Sequence, residues 1–184
     1  MTQDFSIQSL LKGSTDYNYL PSFMPGNSVS TSPFVARTAD LFRQAGVLVD
    51  TQEAAFLGTT PPLTPADYAA LANQHKALAE AHHQLALEIK VAMPTAGIKS
   101  VSANGDAYGA HLDAAKRCLQ SVAGTPEAID FAIDNRNQNS NSDRDDTHAP
   151  ENLPAKNCWL GAHRAFVASR NAHNEVLFAT TQII

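Results

Sequence analysis

Along several stretches of this chain hydrophobic residues return at three- and four-residue steps, and nowhere do they alternate with polar ones for the length of a strand. The longest stretch runs through Tyr68, Leu71, His75, Leu78, His82, Leu85, Ile89 and Ala92, the a and d positions of a heptad. Ala72, Ala79 and Ala86 lie beside this seam and leave room for a close neighbour. Thr64-Pro65-Ala66-Asp67 supplies an N-cap, a proline at the first helical position and an early carboxylate, while Pro94 and Gly97 end the pattern. A long helix facing another helix is expected here.

Shorter patterns flank it. Ser32-Pro33 opens a helix carrying Phe34, Val35, Thr38, Leu41, Phe42 and Ala45, with Gly46 as its expected stop. A third helix is expected from Asn104, with Tyr108, Leu112, Ala115, Leu119 and Val122 on one face, ending at Gly124. Thr125-Pro126-Glu127 begins a short fourth helix through Ile133, and a last one runs from Pro154 toward Thr181. Trp159, His163, Phe166, Arg170, His173 and Leu177 form its stripe, widened by Leu160, Val167 and Phe178. Residues 134–147 contain no apolar side chain and read as a solvated loop. The fold class that follows is all-α, an antiparallel bundle of four to five helices spanning 34–184.

Residues 1–33 follow a different pattern. Ten of them are Ser or Thr, Pro21 and Pro25 interrupt, and no hydrophobic period lasts beyond one turn, so an extended, largely non-helical N-terminal arm is expected. Phe5, Tyr17, Tyr19, Phe23 and, just beyond, Phe34 nevertheless concentrate aromatic area there, which a purely solvated tail would not hold. These five are the candidate partner-binding residues: they pack either on the chain's own bundle or on a neighbouring subunit.

Composition narrows the partners. Hydrophobic residues make up 43% of the chain and charged ones 17%, within reach of a globular domain. The net charge is −5 and no run of Lys or Arg could neutralise neighbouring phosphates, which argues against nucleic acid. No uncharged apolar stretch is long enough for a membrane span, and the start does not read as a signal peptide, so a protein in the cytoplasm or assembled in a particle is expected.

The candidate chemistry lies on the seam. His75 and His82 occupy successive a positions, His111 and Cys118 repeat the seven-residue spacing on the third helix, and His163 and His173 lie on the last. Inward imidazoles are how helical bundles ligate zinc or haem, so these six residues form the candidate metal set. The plainer alternative is that buried histidines bond backbone carbonyls or facing polar groups.

Other motifs are weaker. Glu80 and His83 form one Glu-x-x-His unit, where a di-iron site needs two, and the register points both away from the seam. Asn135 and Ser140 stand where a calcium loop needs Asp and Gly. No nucleophile elbow or phosphate-cradling glycine loop occurs. Cys118 and Cys158 could pair but are no disulfide framework, and free buried thiols are the simpler expectation.

The expected function is therefore that of a non-enzymatic interaction or structural protein, its arm joining it to another copy or to a larger complex, as in a virion component or a secreted effector. The alternative is a metal- or haem-binding bundle acting as a sensor or carrier.

Overall fold

The computed structural model describes residues 32–139 and 153–181. Phe5, Tyr17, Tyr19 and Phe23, and with them the arm as an expectation, lie outside the described residues, as do residues 140–147 of the polar loop. Among the described residues there are five helices and no strand: α1 Pro33–Leu57, α2 Pro65–Ala92, α3 Ile98–Leu119, α4 Pro126–Asn139 and α5 Leu153–Thr180.

Local chemistry accounts for most of the boundaries. The Ser32 hydroxyl accepts from the Phe34 amide at the start of α1, and at its end Gly58 sits at φ 72°, a left-handed position that favours glycine. At the start of α2 Thr64 and Asp67 form a reciprocal capping box, each side chain accepting from the other's backbone amide. Thr125 caps α4 by accepting from the Ala128 amide at 3.1 Å.

Three boundaries differ from expectation. Helix α1 continues past Gly46, which is buried within it, for another three turns; Leu48, Val49 and Gln52 extend its inward face and outweigh the weak helix propensity of one glycine. Helix α3 starts at Ile98 and not at Asn104, because Ser100 and Asn104 are themselves core positions. The expected loop begins later than residue 134, since α4 runs on to Asn139.

Helices α1, α2, α3 and α5 stand in a ring, with extensive α2–α3, α3–α5 and α1–α5 contacts and a slighter α1–α2 contact. Every neighbouring pair is antiparallel: Gln52 of α1 meets Cys158 of α5 while Thr38 meets His173, and Cys118 of α3 meets Cys158 while Ser100 meets Glu175. Among the described residues helix α4 contacts α3 slightly and the other helices less. Where α3 and α5 cross, a Cβ on Gly161 would lie 3.1 Å from the Ala114 Cα and 2.5 Å from the Arg117 side chain, so glycine permits the approach. Arg117 spans that crossing with a hydrogen bond to the Asn157 side chain, its guanidinium steadied within α3 by an Asp113 ion pair at 2.7 Å.

The apolar core gathers Leu41, Phe42, Leu48 and Val49 of α1 with Leu71, Leu78, Leu85 and Ile89 of α2 and with Phe166 and Val176 of α5. Phe42 stacks on Phe166 with centroids 4.9 Å apart. Alanines 72, 79 and 86 are buried, as the small-residue seam requires. The expected face of α3 is corrected: Leu112 is exposed and Tyr108 half-buried, while Ala107, His111, Ala114 and Cys118 face inward. The interface favours small and polar residues there because the helices run too close for leucine. On α5 Phe166 and His173 of the expected stripe are buried, joined by Cys158, Ala162, Ala165, Ser169, Ala172 and Val176, while His163 and Phe178 are exposed.

Candidate functional site

A continuous row of polar side chains passes through the core. At one end Cys118 and Cys158 stand with their sulfurs 2.9 Å apart, and the Gln52 amide nitrogen lies 2.8 Å from the Cys158 Sγ and 3.0 Å from its carbonyl oxygen. Gln52 Oε1 is 2.9 Å from His75 Nε2, and His75 Nδ1 is 3.0 Å from His111 Nδ1. Ser169 Oγ lies 2.9 Å from His111 Nε2 and 3.0 Å from His82 Nε2. His82 Nδ1 then meets Asn104 Oδ1 at 2.8 Å, and Asn104 donates to the Ser100 carbonyl at 2.8 Å. The Ser100 hydroxyl ends the row by donating to the Glu175 carbonyl at 2.9 Å. All these side chains are buried, and the row joins all four ring helices.

Counting hydrogens shows what the row demands. The Gln52 and Asn104 nitrogens donate to backbone carbonyls, so each amide turns its oxygen toward a histidine. Between those two oxygens lie five gaps: Gln52–His75, His75–His111, His111–Ser169, Ser169–His82 and His82–Asn104. Three neutral imidazoles and one hydroxyl bring only four polar hydrogens, so filling every gap takes one more proton and one positive charge.

Burial opposes that proton. It pushes His75 down to about 4 and lowers His82, whose bond to Asn104 offsets part of the effect. It also drives His111 down to about 2, with the neighbouring His75 and His82 adding to the shift. A lone charge in an apolar interior costs more than one unmade hydrogen bond, so the neutral row prevails near pH 7.

Turning the Gln52 amide over lets Nε2 donate to His75, so that four hydrogens suffice for the remaining gaps, but it sets Oε1 against the Cys158 carbonyl. A cysteine S–H can then donate to Oε1 and offset part of that loss. Turning Asn104 instead would set its oxygen against the Ser100 carbonyl, while the Ser100 hydroxyl is already bonded to Glu175.

Of the six candidate ligands, the structure brings His75, His82, His111 and Cys118 into this row. His173 is buried elsewhere, its Nδ1 2.9 Å from Thr38 Oγ1 and its ring stacked on Phe42; burial lowers it to about 4. His163 is exposed, 6.2 Å from Trp159 between ring centroids, and its charge partly offsets the burial that raises the Glu53 carboxyl. The closest pair of nitrogens for a cation is His75 Nδ1 and His111 Nδ1, but no group of three or more His, Cys, Asp or Glu side chains converges as a metal site among the described residues. Phe34, the described member of the aromatic set, is half-buried against the core with the Arg37 guanidinium 5.9 Å from its ring centroid.

Gln52, Asn104 and Ser169 are members that the periodicity did not single out. A signal existed: each sits on a buried stripe of its own helix, Gln52 after Leu41, Ala45 and Leu48, and Asn104 before Ala107, His111 and Cys118. A polar residue in the register of a core stripe marks a buried hydrogen bond.

No protein family, curated protein or solved structure matches this chain.

Proposed function

We propose that this chain is a non-enzymatic helical protein that acts by binding protein, either a second copy of itself or a larger assembly. Among the described residues His75, His82, His111, Cys118 and Cys158 are buried and bonded to one another or to neighbouring polar side chains in the interior. By contrast, large apolar side chains stand on the outside. The carrying observation is the outer face at the α2–α3 turn: Leu87 and Val91 lie one helical turn apart, Val91 is 83% exposed, and Ile98 just beyond the turn is 63% exposed. Exposed apolar area of this kind is where protein partners bind. No helix among the described residues is long and apolar enough to cross a membrane, so a bilayer span does not account for it.

The test is the solution mass of the full chain by light scattering, beside a Leu87→Glu/Val91→Glu double variant. The wild-type mass should exceed one copy and fall to one copy in the variant. A single-copy mass for both across the micromolar range sinks self-association and leaves the larger assembly, which deletion of residues 1–31 then probes by loss of co-purifying partners.

A further inference from the structure

We infer that Cys118 and Cys158 are an oxidation site, closing into a disulfide that joins the end of α3 to the start of α5. Three observations carry it. The sulfurs stand 2.9 Å apart, closer than a thiol hydrogen bond to sulfur requires, and only a small movement separates that contact from a bond. The Gln52 amide nitrogen reaches both of them, at 2.8 and 3.5 Å, and offers hydrogens to sulfurs that keep acceptor lone pairs once their own hydrogens are gone. The bond would also close the chain segment that contains α4, a helix with few contacts to the others among the described residues.

The oxidant is a low-molecular-weight disulfide. A cysteine thiolate attacks it, one small thiol leaves, the second cysteine attacks the mixed disulfide, and a second small thiol leaves. Two protein thiols are oxidised to one disulfide, and one small disulfide is reduced to two thiols. Both cysteines are fully buried, and the hydrogen-bonded Cys158 sulfur together with burial pushes the Cys118 thiol upward, so the exchange takes place while the chain folds or opens and not in the closed bundle. Once formed, the bond removes the S–H that rewards a turned Gln52, and Gln52 then keeps its oxygen toward His75.

The full chain is unfolded in denaturant with reductant, refolded in a mixture of oxidised and reduced glutathione, then denatured and alkylated with iodoacetamide. The expected product is a monomer with neither cysteine alkylated, lighter by two hydrogens than the reduced chain. Two alkylated cysteines, or disulfide-linked dimers in place of the internal bond, overturn the proposal.

Thermal melting supplies a second measurement. Reductant should lower the midpoint of the oxidised wild-type chain by about 10 °C, and leave a Cys118→Ala/Cys158→Ala variant unmoved. Should that variant not fold, the alkylation result on the wild type decides alone. An equal drop in both chains counts against the bond.

Discussion

His82 and His83 are neighbours in sequence and opposites in environment. His82 is buried and bonded on both ring nitrogens, to Asn104 at 2.8 Å and Ser169 at 3.0 Å. His83, about 100° further round α2, is exposed and rests against Tyr108, their ring centroids 5.0 Å apart. The same imidazole is a fixed structural node at one position and a solvated side chain at the next. The difference comes from helix rotation and from what the facing helices supply, since His82 is bonded to α3 and α5 together whereas His83 rests on Tyr108 at the side of α3.

The largest break in this comparison should come at the centre of the row. His111→Ala removes the partner of His75 and of Ser169 and opens a cavity among close-packed helices, so unfolding free energy should fall by about 3–5 kcal/mol in a denaturant titration. A loss below about 1 kcal/mol would mean that the row does not hold the bundle together.

Acid should act on the same residues. His75, His82, His111 and His173 are all held below the 6.5 of a free imidazole by burial, so the unfolded chain takes up their protons first. Their contribution is complete above pH 6.5 and is lost as pH falls from there through about 4. Each deferred protonation adds up to about 1.4 kcal/mol per pH unit to that slope. Urea midpoints measured from pH 7.5 to 4.5 should therefore drop steeply in the wild type and less steeply in His75→Gln. A flat profile would show that the row accepts its fifth proton without penalty.

Ser169→Ala leaves one nitrogen of His82 and one of His111 without a partner while removing a single oxygen, and should cost about 1–3 kcal/mol. The smallest effect belongs to the outer position: His83→Ala should change stability by no more than about 0.5–1 kcal/mol. Equal losses at positions 82 and 83 would erase the contrast. The Arg37–Glu88 pair across α1 and α2, exposed on both sides, belongs to the same modest class.

Much of the fold was legible in the sequence because caps and periodicity act over a few residues. Thr64-Pro65-Ala66-Asp67 sets the start of α2 by local hydrogen bonds alone, and the heptad spacing of His75 and His82 turns both inward whatever lies opposite. The same spacing kept Glu80 and His83 outside. On α3 and α5 large apolar residues do not mark the whole inward face, so periodicity misplaces part of it. Where helices cross as closely as Gly161 and Ala114 do, small residues take that face and Leu112 is displaced outward.

The sequence by itself determined that the chain is helical, where α2 begins and ends, and that two of its histidines are buried. Tertiary structure decided what those histidines touch. Their partners are Gln52, Asn104, His111 and Ser169, 23, 22, 36 and 87 residues away along the chain. Such pairings exist only once apolar packing has chosen which helices adjoin and at what height, and no local interaction encodes that choice. The two cysteines follow the same rule: 40 residues apart in sequence, they come within reach because α3 and α5 pack antiparallel.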